Sequence, residues 1–220
     1  MTPLRLSLHK MHRDEDGSIP IEAIFAYLIL TVWIFLAFQF YDAFRKKGEV
    51  SRAAYAVADI LSRERSAIGP SYLAGMKKVY DFASRKSFDG QTMMRVTLIE
   101  CHTTAQDTDN CDGVTKKATL IGSYPVPATG GLKAQTQASL DNEADRIPIM
   151  GAGDTAVIVE TLYRYRPPFN IGNLTLLLPG GNGSSDAVKV GMAQTKDGIP
   201  IGNFVVTRRR GTPIQWDPSS

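Results

Sequence analysis

The sequence predicts an α+β chain: a long N-terminal helix, membrane-spanning then amphipathic, followed by a globular domain on a mainly antiparallel sheet. Three observations predict it. An uncharged apolar run extends from Ala23 to Tyr41, helical periodicity continues past it, and strand-like segments punctuated by Gly, Pro, Asn and Asp fill the remainder. The expected organisation is a leader over residues 1–17, a membrane helix over 18–41, its amphipathic continuation over 42–70 and an α+β domain over 71–220.

The run from Ala23 to Tyr41 holds nineteen residues without a formal charge. As a helix it extends roughly 28 Å, close to the hydrocarbon thickness of a bilayer. Gln39 is its one strongly polar side chain, and Tyr41 stands where an interfacial aromatic is expected. A buried core helix is the plainer alternative, but apolar residues occupy every face. A cleaved secretory signal fits poorly, because the run is too long and Phe38-Gln39-Phe40-Tyr41 offers no small-x-small site. Basic residues flank both ends, Arg5, Lys10 and Arg13 before and Arg45, Lys46 and Lys47 after, so charge alone leaves the orientation open.

Beyond the run, Val50, Ala53, Ala54, Val57 and Leu61 recur at helical spacing, which predicts one helix from about Ile19 to Ser66, ended by Gly69-Pro70. A shorter helix is expected from Ser71 to Ala83, with Ser71 as its cap and Leu73, Met76, Val79, Tyr80 and Ala83 facing inward. Strands are expected over Met93–Cys101, Lys117–Tyr124, Thr155–Arg166, Ala187–Gln194 and Gly202–Arg208, where β-branched and aromatic residues concentrate. Residues 125–149 read as an irregular surface loop.

Cys101 and Cys111 are the two cysteines. They lie close together in a polar stretch between strands, where a bridge would constrain the unfolded chain by roughly 3 kcal/mol. A bridge there places the domain in an oxidising compartment such as a periplasm, with the N-terminus inside; two unrelated thiols are the alternative. The net charge of +3 is too small to argue for nucleic acid. Arg208-Arg209-Arg210 is the one basic run, read first as a solvated strand end and second as a contact for lipid headgroups or an acidic partner.

Catalytic signatures are weak. His9 and His12 fall in the leader, and Cys101-His102 lacks the further ligands of a zinc site. The stretch from Asp107 to Asp112 has no glycine at the sixth position of a calcium loop, and Ala118 stands where its Glu belongs. Gly151-Ala152-Gly153 lacks the third glycine of a dinucleotide fingerprint. No catalytic residue, metal or cofactor is assigned, and an enzyme is the weaker class.

Gly17-Ser18-Ile19-Pro20-Ile21-Glu22 stands immediately before the apolar run. A peptidase at the membrane face needs an unbulky residue before the scissile bond, and Gly17 supplies one. Cutting there exposes the amine of Ser18. Pro20 then falls in the first helical turn, and Glu22 is placed in that turn, where the helix dipole favours a carboxylate. In an assembly, Glu22 could pair with the Ser18 amine of a neighbour and set the register between subunits. A chance glycine followed by a capping glutamate is the alternative.

This hexapeptide resembles the prepilin-peptidase site of type IV pilins. More narrowly, Arg13-Asp14-Glu15-Asp16-Gly17-Ser18 leading into Ile21-Glu22-Ala23 resembles the start of TadE-like proteins, minor pseudopilins of the tight-adherence (Flp, type IVc) pilus systems of bacteria. Residues 153–160 and Tyr163-Arg164-Tyr165-Arg166-Pro167 are similar to that family's C-terminal strand pattern. The resemblance implies a pilin-like spine, cleavage between Gly17 and Ser18 by a prepilin peptidase, and Glu22 as an assembly carboxylate. Its implied partners are that peptidase, other pilins and pseudopilins, inner-membrane assembly proteins and the membrane itself, without nucleic acid. The implied location is the inner membrane, single-pass, with a cytoplasmic N-terminus and a periplasmic head. Asp14, Glu15 and Asp16 depart from the basic leaders of type IV pilins, Ser18 from their frequent Phe, and Ala23 from the Tyr of the major Flp pilin. With the large head, these departures imply a minor component. The runner-up is an uncleaved single-pass periplasmic binding or adhesion module, and a membrane-anchored hydrolase comes third.

Overall fold

The computed structural model describes residues 18–85, 92–128, 131–168, 175–179, 185–189, 199–210 and 215–218. It is an α+β chain with a long N-terminal helix and a four-stranded antiparallel sheet. Helix α1 spans Ser18–Arg63 and α2 spans Pro70–Ala83. Strands β1 (Thr92–Glu100) and β2 (Thr119–Val126) follow, then a short helix α3 (Gln137–Asp141) and a 3-10 turn at Ala144–Arg146. Strands β3 (Thr155–Tyr165), β4 (Thr175–Pro179), β5 (Ser185–Lys189) and β6 (Ile199–Arg208) complete the order.

The chain divides into two compact units, one of Met1–Ala43 with Pro167–Ala193, the other of Phe44–Arg166 with Gln194–Ser220. The first contains the apolar part of α1 and the β4–β5 hairpin, whose strands pair from Thr175 opposite Lys189 to Pro179 opposite Ser185. The second, the head, carries a sheet in the order β2-β1-β3-β6 with every neighbouring pair antiparallel.

Both faces of that sheet are covered. On one, Met94, Val96, Leu98, Val157, Val159 and Val205 pack with Ala53, Ala54, Val57, Ala58 and Leu61 of α1 and Leu73, Met76 and Tyr80 of α2. The alternate residues Ile99, Ala156 and Ile158 face a second core of Cys101, Cys111, Ala118, Leu140 and Met150. β1 is central and covered on both sides, so its burial does not follow the alternation of its sequence. Alanine and valine on α1 keep side-chain bulk low where helix meets sheet. There Ser51 Oγ donates to Asn203 Oδ1 at 2.7 Å, and Thr207 Oγ1 donates to the Ala58 carbonyl at 3.4 Å.

Several expected boundaries are corrected. α2 starts one residue early: Gly69 is its N-cap, without a side-chain bond, and Pro70 occupies its first turn in place of a Ser71 cap. Val79 and Ala83 point outward, because the sheet admits only the Leu73–Met76–Tyr80 stripe. Residues 125–149 are not uniformly irregular. Thr136 and Ser139 form a reciprocal capping box that starts α3, and Gln137 bonds the Leu120 N–H and the Ala118 carbonyl. β2 runs through Val126, beyond the expected Tyr124, and β6 begins at Ile199, not Gly202. The strand expected over Ala187–Gln194 is β5, which ends at Lys189; residues 190–194 lie outside the described residues. β4 has no counterpart among the expected strands.

Candidate functional site

Of the processing pair, Gly17 lies outside the described residues, and Ser18 opens α1 with its side chain outside them. Because α1 starts at Ser18, Glu22 is its fifth residue, and the first turn holds no acid. This corrects the first-turn placement of Glu22. Its side chain is exposed. Above it, Trp33, Phe35 and Phe38 are 66%, 47% and 52% exposed. Such exposure is the reverse of a core helix. By length and composition α1 is long and apolar enough to cross a membrane. Gln39, the polar exception, is buried at 1% exposure.

Cys101 and Cys111 form a disulfide with their Cα atoms 5.7 Å apart. The bridge is buried in the second core, where Cys111 also exchanges backbone hydrogen bonds with Met150 at 2.9 and 3.0 Å. The loop it closes is organised internally. Lys116 Nζ donates to Asp107 Oδ1 at 2.8 Å and to the Asp109 carbonyl at 3.0 Å, filling the middle of the acidic stretch. Asp112 Oδ1 accepts from the N–H groups of Val114, Thr115 and Lys116, and these bonds hold its carboxyl down at about 2. Gly113, at φ +81°, closes this turn where an added Cβ would meet the Ala144 carbonyl at 2.9 Å. The carboxylates of Asp107 and Asp112 are thus occupied within the Asp107–Lys116 stretch itself.

The arginine run is not a solvated strand end throughout. Arg208 pairs with Asp154, and Arg210 donates its N–H to the Ser62 carbonyl at 3.1 Å. Arg209 Nη2 donates to the Glu64 carbonyl at the C-terminal end of α1, where a cation complements the helix dipole. Burial lowers the pKa of that guanidinium. Beside it, Tyr72 Oη donates to Glu64 Oε2 at 2.7 Å while Glu64 Oε1 accepts from the N–H groups of Arg65 and Ser66. The Tyr72 bond leads the interactions that bring the Glu64 carboxyl down to about 2. Glu64 and Arg209 together close the spine onto the head.

Two further charged clusters have no counterpart in the sequence reading. Lys77 Nζ donates to Asp81 at 2.6 and 2.7 Å and to Thr92 Oγ1 at 2.7 Å, and Thr92 Oγ1 donates to Asp81 Oδ1 at 2.6 Å. The four-residue spacing of Lys77 and Asp81 on a helix was the available signal. With its donors engaged, Lys77 offers no base to the Thr92 hydroxyl. Arg95 pairs with Glu160 across β1 and β3, and its Nη1 donates to the Lys133 carbonyl at 2.8 Å, tying the 131–136 segment to the sheet. Among the described residues, no three metal-ligating side chains converge.

Comparison with protein-family models, curated proteins and solved structures finds no match to this chain.

Proposed function

We propose that the chain is a minor pseudopilin of the TadE-like kind, processed between Gly17 and Ser18 and held in the inner membrane by α1 until a pilus or secretion apparatus takes it up. The observation that carries this reading is α1 itself. A single 46-residue helix exposes its apolar first half and packs its second half into a sheet-based head. Such a spine needs a hydrophobic surrounding for one half only. The bilayer supplies it before assembly and neighbouring spines supply it afterwards. On this reading Glu22, exposed near the start of that half, pairs with the new amine of a neighbour's Ser18. The disulfide supports a head in the oxidising periplasm.

Glu22→Ala tests this reading. A buried ion pair broken on one side costs about 3–5 kcal/mol, so the variant should remain in the membrane fraction and disappear from the assembled one. Incorporation equal to that of the unmodified chain would reject the assembly role and favour the uncleaved binding module, for which Glu22 is dispensable.

A further inference from the structure

The head has two ends. At one, Lys77 of α2 reaches Thr92 at the start of β1, Thr92 lies opposite Tyr163, and Tyr165 lies opposite Ile199 at the start of β6. Ser51 of α1 bonds Asn203 four residues further along β6. Phe44, where α1 enters this unit, lies about 10 Å along the helix before Ser51. Ile199 lies about 13 Å along the strand before Asn203, in the same direction. This end of the sheet is therefore level with the start of α1 in the head. At the other end are the disulfide, Arg208-Arg209-Arg210 and Ser62, about 27 Å along α1 from Phe44. The arginine run that the sequence offered for headgroup contact thus stands at the far end.

The near end carries an unexplained combination. Phe82, in the last turn of α2, is 85% exposed, and Phe44 is 70% exposed. Around them Lys47, Lys78 and Arg85 are exposed, with no carboxylate partner among the described residues. The nearby acids Glu49 and Asp81 are consumed internally, by Arg45 and Lys46 and by Lys77. The result is aromatic side chains among cations that no carboxylate pairs with among the described residues, on and beside the part of α1 that directly follows the apolar run. That composition matches a membrane interface, where rings settle among headgroups and cations meet phosphates.

We propose that this end of the head is a lipid-contact surface, on which Phe82 enters the headgroup layer while Lys78, Arg85 and Lys47 engage the phosphates of anionic phospholipids. The proposal rests on reading Ala23–Tyr41 as a membrane span. It gives the head a docked state on the bilayer, which uptake by an assembly must break.

The test uses the full chain reconstituted in vesicles of phosphatidylethanolamine and phosphatidylglycerol. A Phe82→Cys variant carries an environment-sensitive NBD fluorophore, and the native bridge leaves its thiol as the labelling point. A second label at Val114→Cys, 85% exposed at the far end, is the reference. The expected result is blue-shifted emission at position 82, quenched by spin-labelled lipid, with aqueous emission at position 114. Lys78→Gln and Arg85→Gln should each weaken docking about fivefold, and pure phosphatidylcholine vesicles should weaken it further. Aqueous emission at position 82 in protein that withstands a carbonate wash would overturn the lipid-contact surface and leave the anchored reading standing. Shielding of position 82 only by cross-linking to another copy would overturn that surface too. Release of the protein by carbonate would overturn both.

Discussion

The two halves of α1 share one backbone and differ in what covers them. From Ala23 to Tyr41 the large apolar side chains point mostly outward, with Leu30 52% and Ile34 54% exposed, and Gln39 is the buried exception. From Val50 to Leu61 the inward ones are small, and Ala54, Val57, Ala58 and Leu61 are all 0% exposed. The second half is cut to fit a sheet that the same chain supplies. The first has bulk on every face, which suits a fluid surrounding or several neighbours. Burial here is decided by what the chain provides, more than by hydrophobicity.

Matched truncations break this comparison most directly. Leu61→Ala should cost the head about 2–5 kcal/mol, the usual range for a buried leucine. Leu30→Ala should leave head unfolding within about 0.5 kcal/mol, as for sites outside the packed fold. Denaturant melts of the full chain in detergent read both. Equal losses would mean that the halves form one cooperative unit.

Replacing both Cys101 and Cys111 by Ala should lower head stability by about 3 kcal/mol, with no change in membrane retention. Loss of retention would tie the apolar half of α1 to the head. Gly122→Ala sharpens the packed side. An added Cβ would lie 2.5 Å from the Trp216 ring, which packs in the same core as the second half of α1. Overpacking of that kind costs about 1–3 kcal/mol, and near-ultraviolet circular dichroism should report the displaced tryptophan.

The smallest effect concerns Glu64, the residue that follows α1. The Glu64 carboxyl has its folded pKa depressed from 4.5 to about 2 by Tyr72 and the N–H groups of Ser66 and Arg65. A depressed carboxylate stabilises fully above its unfolded pKa and loses that contribution as pH falls through its folded value. Part of the acid-induced loss between about pH 4.5 and 2 should therefore vanish in Glu64→Gln, whose stability at pH 7 falls by about 1 kcal/mol. An unchanged acid profile would show that Tyr72 and Arg209 close the spine without the carboxylate.

Much of this architecture is legible in local pattern. The apolar run, the Val50–Leu61 stripe and the β-branched segment that forms β3 each repeat one period over enough residues to declare themselves. The bridge is readable because two nearby cysteines have few alternatives. What escapes is short or non-local. α3 has five residues, too few for a period, and its cap uses Ser139 where the familiar signature has Glu or Gln. Pro70 marks the start of α2, but Ser71 is the more conspicuous cap. The Arg95–Glu160 pair is set by strand register, and Arg209 reaches the Glu64 carbonyl because β6 ends against α1; neither leaves a trace in spacing. The proposed processing bond is readable only as sequence, since Gly17 lies outside the described residues.

That bond carries the central claim. The decisive measurement is the intact mass of the membrane-fraction protein from cells with and without the prepilin peptidase. The account predicts a chain beginning at Ser18 in the first and at Met1 in the second. An unprocessed Met1 terminus in both would contradict it.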